Sequence, residues 1–162
     1  MQLEFEQQKL MQVWVAGRPY AQERPRFVNG KVLSSTSKGL KDWRGRLRSA
    51  IRAATRELSL KELEGPLCVD LVLLMPVKDR GRWWQLCHTK PDKDNLEKAV
   101  LDVMEGAGIF AKGDSQVAAG EVVKVWCPPG HEGALVKLSR IRVKNAPHEA
   151  GQVVCGELDW LA

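Results

Sequence analysis

The sequence predicts an α+β protein of a single domain, with two main helices and several strands. Its 162 residues suit one domain, and 44% hydrophobic with 28% charged residues is a composition typical of a globular core under a polar surface. Two segments, 38–58 and 94–105, repeat apolar residues at helical spacing. Shorter segments around them alternate polar and apolar residues or are continuously apolar, as strands are.

The first strand is predicted at 11–16, where apolar and polar residues alternate, and residues 1–10 form a polar leader without a clear period. The next segment, 17–27, contains two prolines and three arginines, which predicts a loop. Beyond it, Asn29 and Gly30 stand between apolar residues, a strong signal for a tight β-hairpin. This part of the chain is therefore expected to hold a strand, an arginine-rich loop and a hairpin.

The first helix is predicted from about Lys38 to Leu58, because residues able to cap a helix, 34–37, precede it. Apolar residues spaced by three or four form one stripe for burial: Leu40, Trp43, Leu47, Ala50, Ile51, Ala54 and Leu58. The remaining faces carry Lys38, Lys41, Arg44, Arg46, Arg48, Arg52 and Arg56. This pattern is typical of a surface helix that packs one side on a core.

The rest of the chain combines further strands with a second helix. Strands are predicted at 67–75, 85–90, 117–126 and 134–143. The second helix, 94–105, ends at a run of glycine and alanine, 106–108. We expect one domain over 11–143, followed by the segment 144–162, whose lack of a period is typical of a disordered tail or of a segment that binds a partner.

Several classes of protein are excluded. The longest apolar run, 69–76, is interrupted by Asp70 and is far shorter than the roughly 20 residues of a membrane span, so no membrane partner is expected. The acidic residues 1–6 do not resemble a signal peptide, and four scattered cysteines without a C-x-x-C pair are expected to be reduced thiols of a cytoplasmic protein. Cys127 and His131 lack a second pair of zinc ligands. No nucleotide-binding or nucleophilic-serine motif occurs, so no nucleotide cofactor is expected.

Positive charge is concentrated in the first third of the chain. The formal net charge is +5, yet the stretch from Arg18 to Arg56 contains eleven basic and two acidic residues and carries +9, which leaves −4 for the remainder. This asymmetry favours a polyanionic partner such as nucleic acid, although a solvated basic helix face explains the same charges.

The most informative segment runs from Lys90 to Val117. Asp92 and Asp94 lie two apart after Pro91, which favours an extended chain, and residues i and i+2 of an extended chain point the same way. Two carboxylates this close repel unless a cation lies between them, and Mg²⁺ suits such hard oxygen ligands. A helix-capping role is the alternative for Asp94.

Asp114 is expected to complete this site. The second helix is about 18 Å long, and residues 106–113 span up to about 26 Å when extended, so the chain can bring Asp114 back to the helix start. Three carboxylates would then hold Mg²⁺ against a phosphodiester. Lys98, four residues after Asp94, either belongs to an ion-pair ladder or contacts a phosphate. Asp102, roughly 12 Å from Asp94 along the axis, is assigned to structure.

The same segment resembles the signature of RusA-type Holliday junction resolvases, endodeoxyribonucleases common in prophages. The family pattern is roughly D-x-D-N-L-x-K, a helix, a glycine-containing turn and D-D-x-Q-V. The first block is matched by Asp92, Asp94, Asn95, Leu96 and Lys98, and the second by Asp114, Gln116 and Val117. A further run is similar to the family's N-terminal loop: Gly17, Pro19, Arg24, Pro25 and Arg26. The resemblance covers about residues 11–143.

The resemblance implies a small homodimer with a mixed β-sheet, located in a bacterial cell and encoded by a phage or its host. It implies an enzyme that uses Mg²⁺, or Mn²⁺ in its place, to resolve four-way DNA junctions by paired symmetric nicks in recombination and repair. The implied metal ligands are Asp92, Asp94 and Asp114, and the implied catalytic residues are these three together with Lys98.

Two departures from the family pattern keep an alternative open. Gly113 replaces the first of the two adjacent acids before x-Q-V, and aligning both blocks needs an additional residue near Lys112. The alternative is a catalytically weak or inactive protein that binds junctions or branched DNA. A nuclease that prefers branched or flap DNA is a third hypothesis.

Eight basic residues are predicted to contact DNA. They are Arg24, Arg26, Lys38, Lys41, Arg44, Arg48, Arg80 and Arg82. The first two flank Pro25 in a stiff loop suited to phosphate contacts, and the next four lie along the first helix, although they spread around it. Arg80 and Arg82 stand beside two tryptophans, 83–84, interpreted either as wedges at a junction centre or as part of the core or a dimer interface. Trp14, Trp43 and Trp126 are interpreted as core.

Overall fold

The computed structural model describes residues 3–23, 26–28, 31–33 and 36–144, and for 26–28 and 31–33 the backbone alone. The strands are β1 (Phe5–Ala16), β2 (Arg26–Val28), β3 (Lys31–Leu33), β4 (Leu67–Pro76), β5 (Val117–Ala119), β6 (Val122–Cys127) and β7 (Gly133–Val143). The helices are α1 (Lys38–Glu57) and α2 (Lys93–Gly106), with 3₁₀ turns at Arg80–Arg82 and Asp114–Gln116. From residue 145 on, the predicted C-terminal tail lies outside the described residues.

Five strands form one mixed sheet. Its order is β1-β7-β4, and β4 then pairs on its other edge with both β5 and β6. β7 runs antiparallel to β1 and β4, whereas β5 and β6 run parallel to β4. β2 and β3 pair antiparallel as a second sheet, around the predicted turn residues Asn29 and Gly30, which themselves lie outside the described residues. The predicted α+β fold, with a mixed sheet and two main helices, is confirmed.

Both helices share one hydrophobic core with one face of this sheet. Alternate residues of β4 are buried there, namely Leu67, Val69, Leu71, Leu73 and Met75. The helices contribute Leu40, Trp43, Leu47 and Ile51 from α1, and Leu96, Ala99, Val100, Val103 and Met104 from α2. All of these side chains belong to one continuous cluster. Apolar residues that repeat every second position in the strand and about every 3.6 positions in the helices therefore pack into a single core, as the sequence pattern predicts.

The first helix nearly matches its predicted limits because local capping sets its start. Ser37 is the N-cap, and its Oγ accepts a hydrogen bond from the backbone N–H of Leu40 at 3.3 Å. The helix ends at Glu57, and Leu58, predicted to be on the buried stripe, is 49% exposed. Among the described residues, neither this helix nor any other is long and apolar enough to cross a membrane.

The first strand is longer than predicted. It begins at Phe5, so residues 5–10, predicted to belong to a polar leader, pair with β7. Polar residues are tolerated because side chains 5–9 are exposed, and pairing at this end of the sheet needs only their backbone groups. The sheet therefore includes residues that the hydrophobic pattern had left out.

The strand predicted at 117–126 is divided into β5 and β6 at Gly120. A Cβ at this position would collide with the backbone carbonyl oxygen of Val69, so the close approach of the two strands requires glycine. The pairing with β4 also shifts register, between Leu67 and Cys68. One continuous strand was predicted because the pattern of apolar residues does not show where two backbones come into close contact.

The strand predicted at 85–90 is reduced to a short pairing with β6. Leu86 forms an isolated antiparallel bridge with Val125, and the N–H groups of Trp84 and Cys87 donate to β6 carbonyls. The φ of 64° at Trp84 lies outside the β region, so no regular strand runs through this residue.

Two of the three tryptophans predicted to be core are buried. Trp43 and Trp126 are 2% and 8% exposed, whereas Trp14 is 46% exposed, so the prediction is wrong for Trp14. Alternation along β1 places Trp14 on the sheet face opposite to the buried Val15. There its ring lies over Gly133, where any Cβ would collide with it.

Candidate active site

The N-terminus of α2 carries the first pair of predicted metal ligands. Asp92 is the N-cap, with extended backbone angles and no side-chain capping hydrogen bond, and Asp94 lies in the first helical turn. The extended stretch that was expected to point both carboxylates the same way therefore ends at Asp92. Both side chains are exposed. Because the positive end of the helix dipole lies here, two negative charges are favoured at this position.

The second block of the signature forms a 3₁₀ turn that begins at Asp114. Gly113 precedes it with a φ of 73°, a left-handed conformation that favours glycine. A Cβ at Gly113 would also lie 2.9 Å from Oε1 of Glu105 on α2. An acid at position 113 would therefore meet both backbone strain and a second carboxylate, which accounts for the glycine found here.

Gln116 fixes this turn in place. Its side chain is buried, and its Nε2 donates to the carbonyls of Leu63 and Gly65, each at 3.0 Å. Its Oε1 accepts from the backbone N–H of Lys112 at 2.6 Å. One amide side chain thus ties the turn to the segment ahead of β4, and this holds Asp114, two residues earlier, in position.

Asp114 reaches α2 at Lys98, whereas the sequence analysis expected it beside Asp92 and Asp94 at the helix start. The Lys98 Nζ atom lies 2.5 Å from Oδ2 of Asp114 and 3.0 Å from Oδ1 of Asp102. The hydrogen bond to Asp114, and then the one to Asp102, raises the pKa of Lys98 above its usual value. The ammonium group is therefore held in its charged form, with its side chain still 48% exposed.

Asp102 makes more contacts than the ion-pair ladder predicted for it. The i,i+4 pair with Lys98 is present, but Asp102 also accepts a hydrogen bond from Arg44 of α1 at 2.9 Å. Together with Glu105 and Asp114 it forms a group of carboxylates whose oxygens lie within 4.8 Å of one another. Such hard oxygen donors suit Mg²⁺. The sequence analysis placed Asp102 too far from the site because it took the distance from Asp94 at the helix start. The carboxylate cluster of the structure lies further along the helix.

Asp92 and Asp94 are not members of that carboxylate group. The structure thus brings Lys98 and Asp114 together, from two separate blocks of the signature, and keeps the first two acids at the start of the same helix. Asp94 precedes Lys98 by one helical turn and shares its face, so the two acidic regions are adjacent along α2.

The predicted DNA-contacting residues fall into different environments. On α1, the side chains of Lys38, Lys41 and Arg48 are exposed. Arg44 is half-buried, and its Nη2 donates to Gln22 and Asp102. Of the loop arginines, Arg24 lies outside the described residues.

The remaining predicted contacts lie in β2 and in the 3₁₀ turn Arg80–Arg82. Arg26 is described only through its backbone in β2. Arg80 and Arg82 are exposed in a 3₁₀ turn, where Arg80 lies over the Trp83 ring at 5.5 Å and Arg82 pairs with Asp79 at 3.3 Å.

A lysine held among carboxylates lies next to a strongly basic helix on an α+β core, and such charges can bind a phosphodiester and stabilise charge that develops on it. The comparisons with known proteins agree. The family model described as "Endodeoxyribonuclease RusA" matches residues 16–132, more than half of the chain, so this chain belongs to the RusA endodeoxyribonuclease family. The predicted family is confirmed.

A relative in a phage has a similar sequence. The "Crossover junction endodeoxyribonuclease rusA" of Lactococcus phage r1t is 32% identical over 100 residues, a match that covers 54% of this chain and 76% of the relative. The similarity therefore extends over most of the phage protein.

Sequence reasoning missed four residues that shape the site. They are Gln22, Arg44 in its contact with Asp102, Glu105, and Gln116 as the residue that holds the turn. The motif D-x-Q-V contains a signal for Gln116, because a glutamine inside an apolar segment needs buried partners. The contacts of Gln22, Arg44 and Glu105 depend on neighbours distant in sequence and leave no local signal.

Proposed function

We propose that this chain is a metal-dependent endonuclease that resolves four-way DNA junctions by paired symmetric nicks, in recombination and repair. Family membership supports the endonuclease class, and the name of the phage relative supports a crossover junction as substrate. The observation that carries the proposal is the 2.5 Å contact of Lys98 with Asp114, which joins the two separate blocks of the signature.

Mg²⁺ is the proposed cofactor, with Mn²⁺ as a substitute, and Asp92, Asp94 and Asp114 are the proposed ligands. The chemistry of these donors suits Mg²⁺, because they are carboxylates at exposed or half-exposed positions, which leaves room for the waters that Mg²⁺ retains. In the structure Asp114 is grouped with Asp102 and Glu105, and Asp92 and Asp94 lie at the helix start. Asp94 lies on the same helix face as Lys98, against which Asp114 docks. When bound, the ion would lower the pKa of an attacking water and stabilise charge on the phosphate.

Lys98 is proposed to contact the phosphate that is cut. Its ammonium group is charged, partly exposed and held by two carboxylates in one place. A cation fixed in advance beside the phosphate stabilises the negative charge that develops in the transition state without needing to reorganise.

The DNA is proposed to lie along the basic part of the molecule. The proposed contacts are Arg24, Arg26, Lys38, Lys41, Arg48, Arg80 and Arg82. A homodimer is proposed because a four-way junction has two-fold symmetry and its resolution needs two opposed cuts. Light scattering at micromolar concentration checks this point, and a monomer would count against it.

The experiment that tests the proposed function incubates the purified protein with a synthetic mobile four-way junction. Parallel reactions contain Mg²⁺, Mn²⁺ or neither, and a linear duplex serves as the comparison substrate. We expect paired nicks in opposed strands of the junction, only when metal is present. Tight junction binding without nicking in either metal would instead support the binding-only alternative.

A substitution at Asp94 tests the proposed metal site. Asp94→Asn is expected to abolish nicking and to leave junction binding intact or tighter, because a carboxylate that repels the phosphate is removed. The matched control is Glu57→Gln, which removes an exposed carboxylate at the end of α1 and is expected to leave nicking unchanged. Full cleavage by Asp94→Asn would contradict the proposed ligand set.

A further inference from the structure

A chain of hydrogen bonds runs from the N-terminal loop through α1 and α2 to Asp114. Gln22 accepts a hydrogen bond from Arg44, whose Nη2 atom also donates to Oδ2 of Asp102 at 2.9 Å. Lys98 then donates to Oδ1 of Asp102 at 3.0 Å and to Oδ2 of Asp114 at 2.5 Å. Three segments that are distant in sequence, the N-terminal loop, α1 and the turn at Asp114, are therefore linked to α2 through Asp102 and Lys98.

Asp102 is the branch point of this chain. Its two carboxylate oxygens serve different partners, Lys98 on its own helix and Arg44 on the neighbouring one. The side chains of Arg44 and Asp102 are 25% and 26% exposed, whereas that of Lys98 is 48% exposed. A carboxylate held by a planar guanidinium from another helix has lost most of its rotamer freedom, so it is a fixed acceptor for a flexible lysine.

The surroundings of Arg44 do not match those of the other basic residues on α1. Lys41 and Arg48 project into solvent, whereas the Arg44 Nη2 is already bonded to two side chains. Its Nε atom is buried and has no hydrogen-bond partner among the residues that the structure describes. The guanidinium is therefore oriented by α2 and by the N-terminal loop.

The loop itself is attached to the start of α2. The backbone N–H of Gln22 donates to the carbonyl of Asn95 at 2.7 Å. Gln22 thus contacts α2 through its backbone and Arg44 through its side chain, so the loop, the arginine and the helix are positioned together.

We infer that Asp102 and Arg44 are positioning residues of the nuclease site: Asp102 holds the Lys98 ammonium group beside Asp114, and Arg44 holds Asp102. This inference rests on the proposed function. It moves Arg44 from the set of DNA contacts to the support of the lysine. It also distinguishes Asp102 from a surface ion-pair partner and from a metal ligand, because Asp102 acts on the reaction only by holding Lys98.

The test measures three quantities for each variant: the single-turnover rate of junction cleavage, the junction Kd, and the Mg²⁺ concentration that gives half the maximal rate. Asp102→Asn and Arg44→Gln are expected to lower the rate about 10- to 100-fold, the loss typical of residues that orient a functional group. The junction Kd and the Mg²⁺ requirement should stay unchanged. Arg44→Lys, which keeps a cation beside Asp102, should recover part of the rate.

Two arginines on the same helix provide the comparison variants. Arg48→Gln, four residues further on, removes an exposed cation placed among the DNA contacts, so it is expected to raise the Kd and to reduce its dependence on salt. Arg56→Gln removes an exposed cation in the last turn, distant from the site, and should change neither the rate nor the Kd. Thermal melts monitored by circular dichroism confirm that each variant is folded.

A second measurement does not depend on catalysis. The ammonium signal of Lys98 in a ¹⁵N-edited NMR spectrum should broaden or shift in Asp102→Asn and Arg44→Gln, because the lysine loses a fixed acceptor. The same signal should be unaffected in Arg56→Gln. An unchanged Lys98 signal in Asp102→Asn would overturn the inference even if the rate fell.

The remaining outcomes also decide the inference. A rate restored by high Mg²⁺ in Asp102→Asn would make Asp102 a metal ligand, and a raised Kd with a reduced salt dependence in Arg44→Gln would make Arg44 a DNA contact. An unchanged rate in both variants would make the ion pairs structural only. Any of these overturns the inference while leaving the proposed function intact, whereas a native chain that never nicks junctions overturns the proposed function itself.

Discussion

The two helices use their polar faces differently. All seven basic residues of α1 except Arg44 are exposed, and the three proposed as DNA contacts, Lys38, Lys41 and Arg48, come from this one segment of sequence. The polar residues of α2 instead make contacts with other elements: Lys98 with Asp114 after the helix, and Asp102 with Arg44 before it. A surface that meets an external polyanion needs no internal partners, whereas a site that fixes one charged group does.

Lys98→Ala tests this difference between the two helices most strongly. If α2 carries the reaction and α1 the binding, this variant should lose about 1000-fold in cleavage rate, the scale of removing a pre-oriented group that stabilises charge. Junction binding in a gel-shift assay should persist. Lys93→Ala, which removes an exposed lysine at the start of the same helix, is the control and should keep its rate.

The buried side of α1 tests whether that helix is more than a basic surface. Leu47 is fully buried in the core, so Leu47→Ala should lower the free energy of unfolding by about 3 kcal/mol through lost burial and a residual cavity. Arg48→Ala, one residue on and exposed, should change it by less than about 0.5 kcal/mol. Urea denaturation measures both, and equal effects would contradict the packing described for α1.

The turn that brings Asp114 to α2 depends on a buried amide. Gln116→Ala removes three hydrogen bonds, those to the carbonyls of Leu63 and Gly65 and that from the Lys112 N–H, which should cost about 2 kcal/mol in the free energy of unfolding. We also expect slower cleavage, because Asp114 is no longer held. Lys112→Ala, which truncates an exposed side chain and keeps the backbone N–H that Gln116 accepts from, serves as the control in the same urea titration. A stability equal to that of the native chain would show that the turn is held by other contacts.

The smallest expected effect lies on the exposed side of α1. Lys41→Gln should weaken junction binding modestly and lower the slope of log K against log salt by about 1, because one phosphate contact is lost. Binding titrations at several salt concentrations measure this slope. An unchanged slope would place the DNA away from this part of α1.

Much of the fold and part of the site could be predicted from the sequence. The two helices and the longer strands follow from periodicity, since each repeats within a few residues. Helix length and the reach of the connecting chain allowed Asp114 to return to α2, but they pointed to the helix start and not to Lys98, where Asp114 lies. The sequence did not predict the exposure of Trp14 or the division of 117–126 at Gly120. The first depends on which sheet face is covered by other elements, and the second on the close approach of the Val69 carbonyl.

The family, the two helices and the concentration of basic residues on α1 could be read from the sequence alone, because each follows from a motif, a repeating pattern or a composition. Only the tertiary structure decided that Asp102 faces Arg44, 58 residues away, and that Glu105 lies against Gly113. The angle at which α1 packs on α2 sets the first contact, and the left-handed turn sets the second. Both are properties of the assembled core, where the partners of a side chain come from distant parts of the chain.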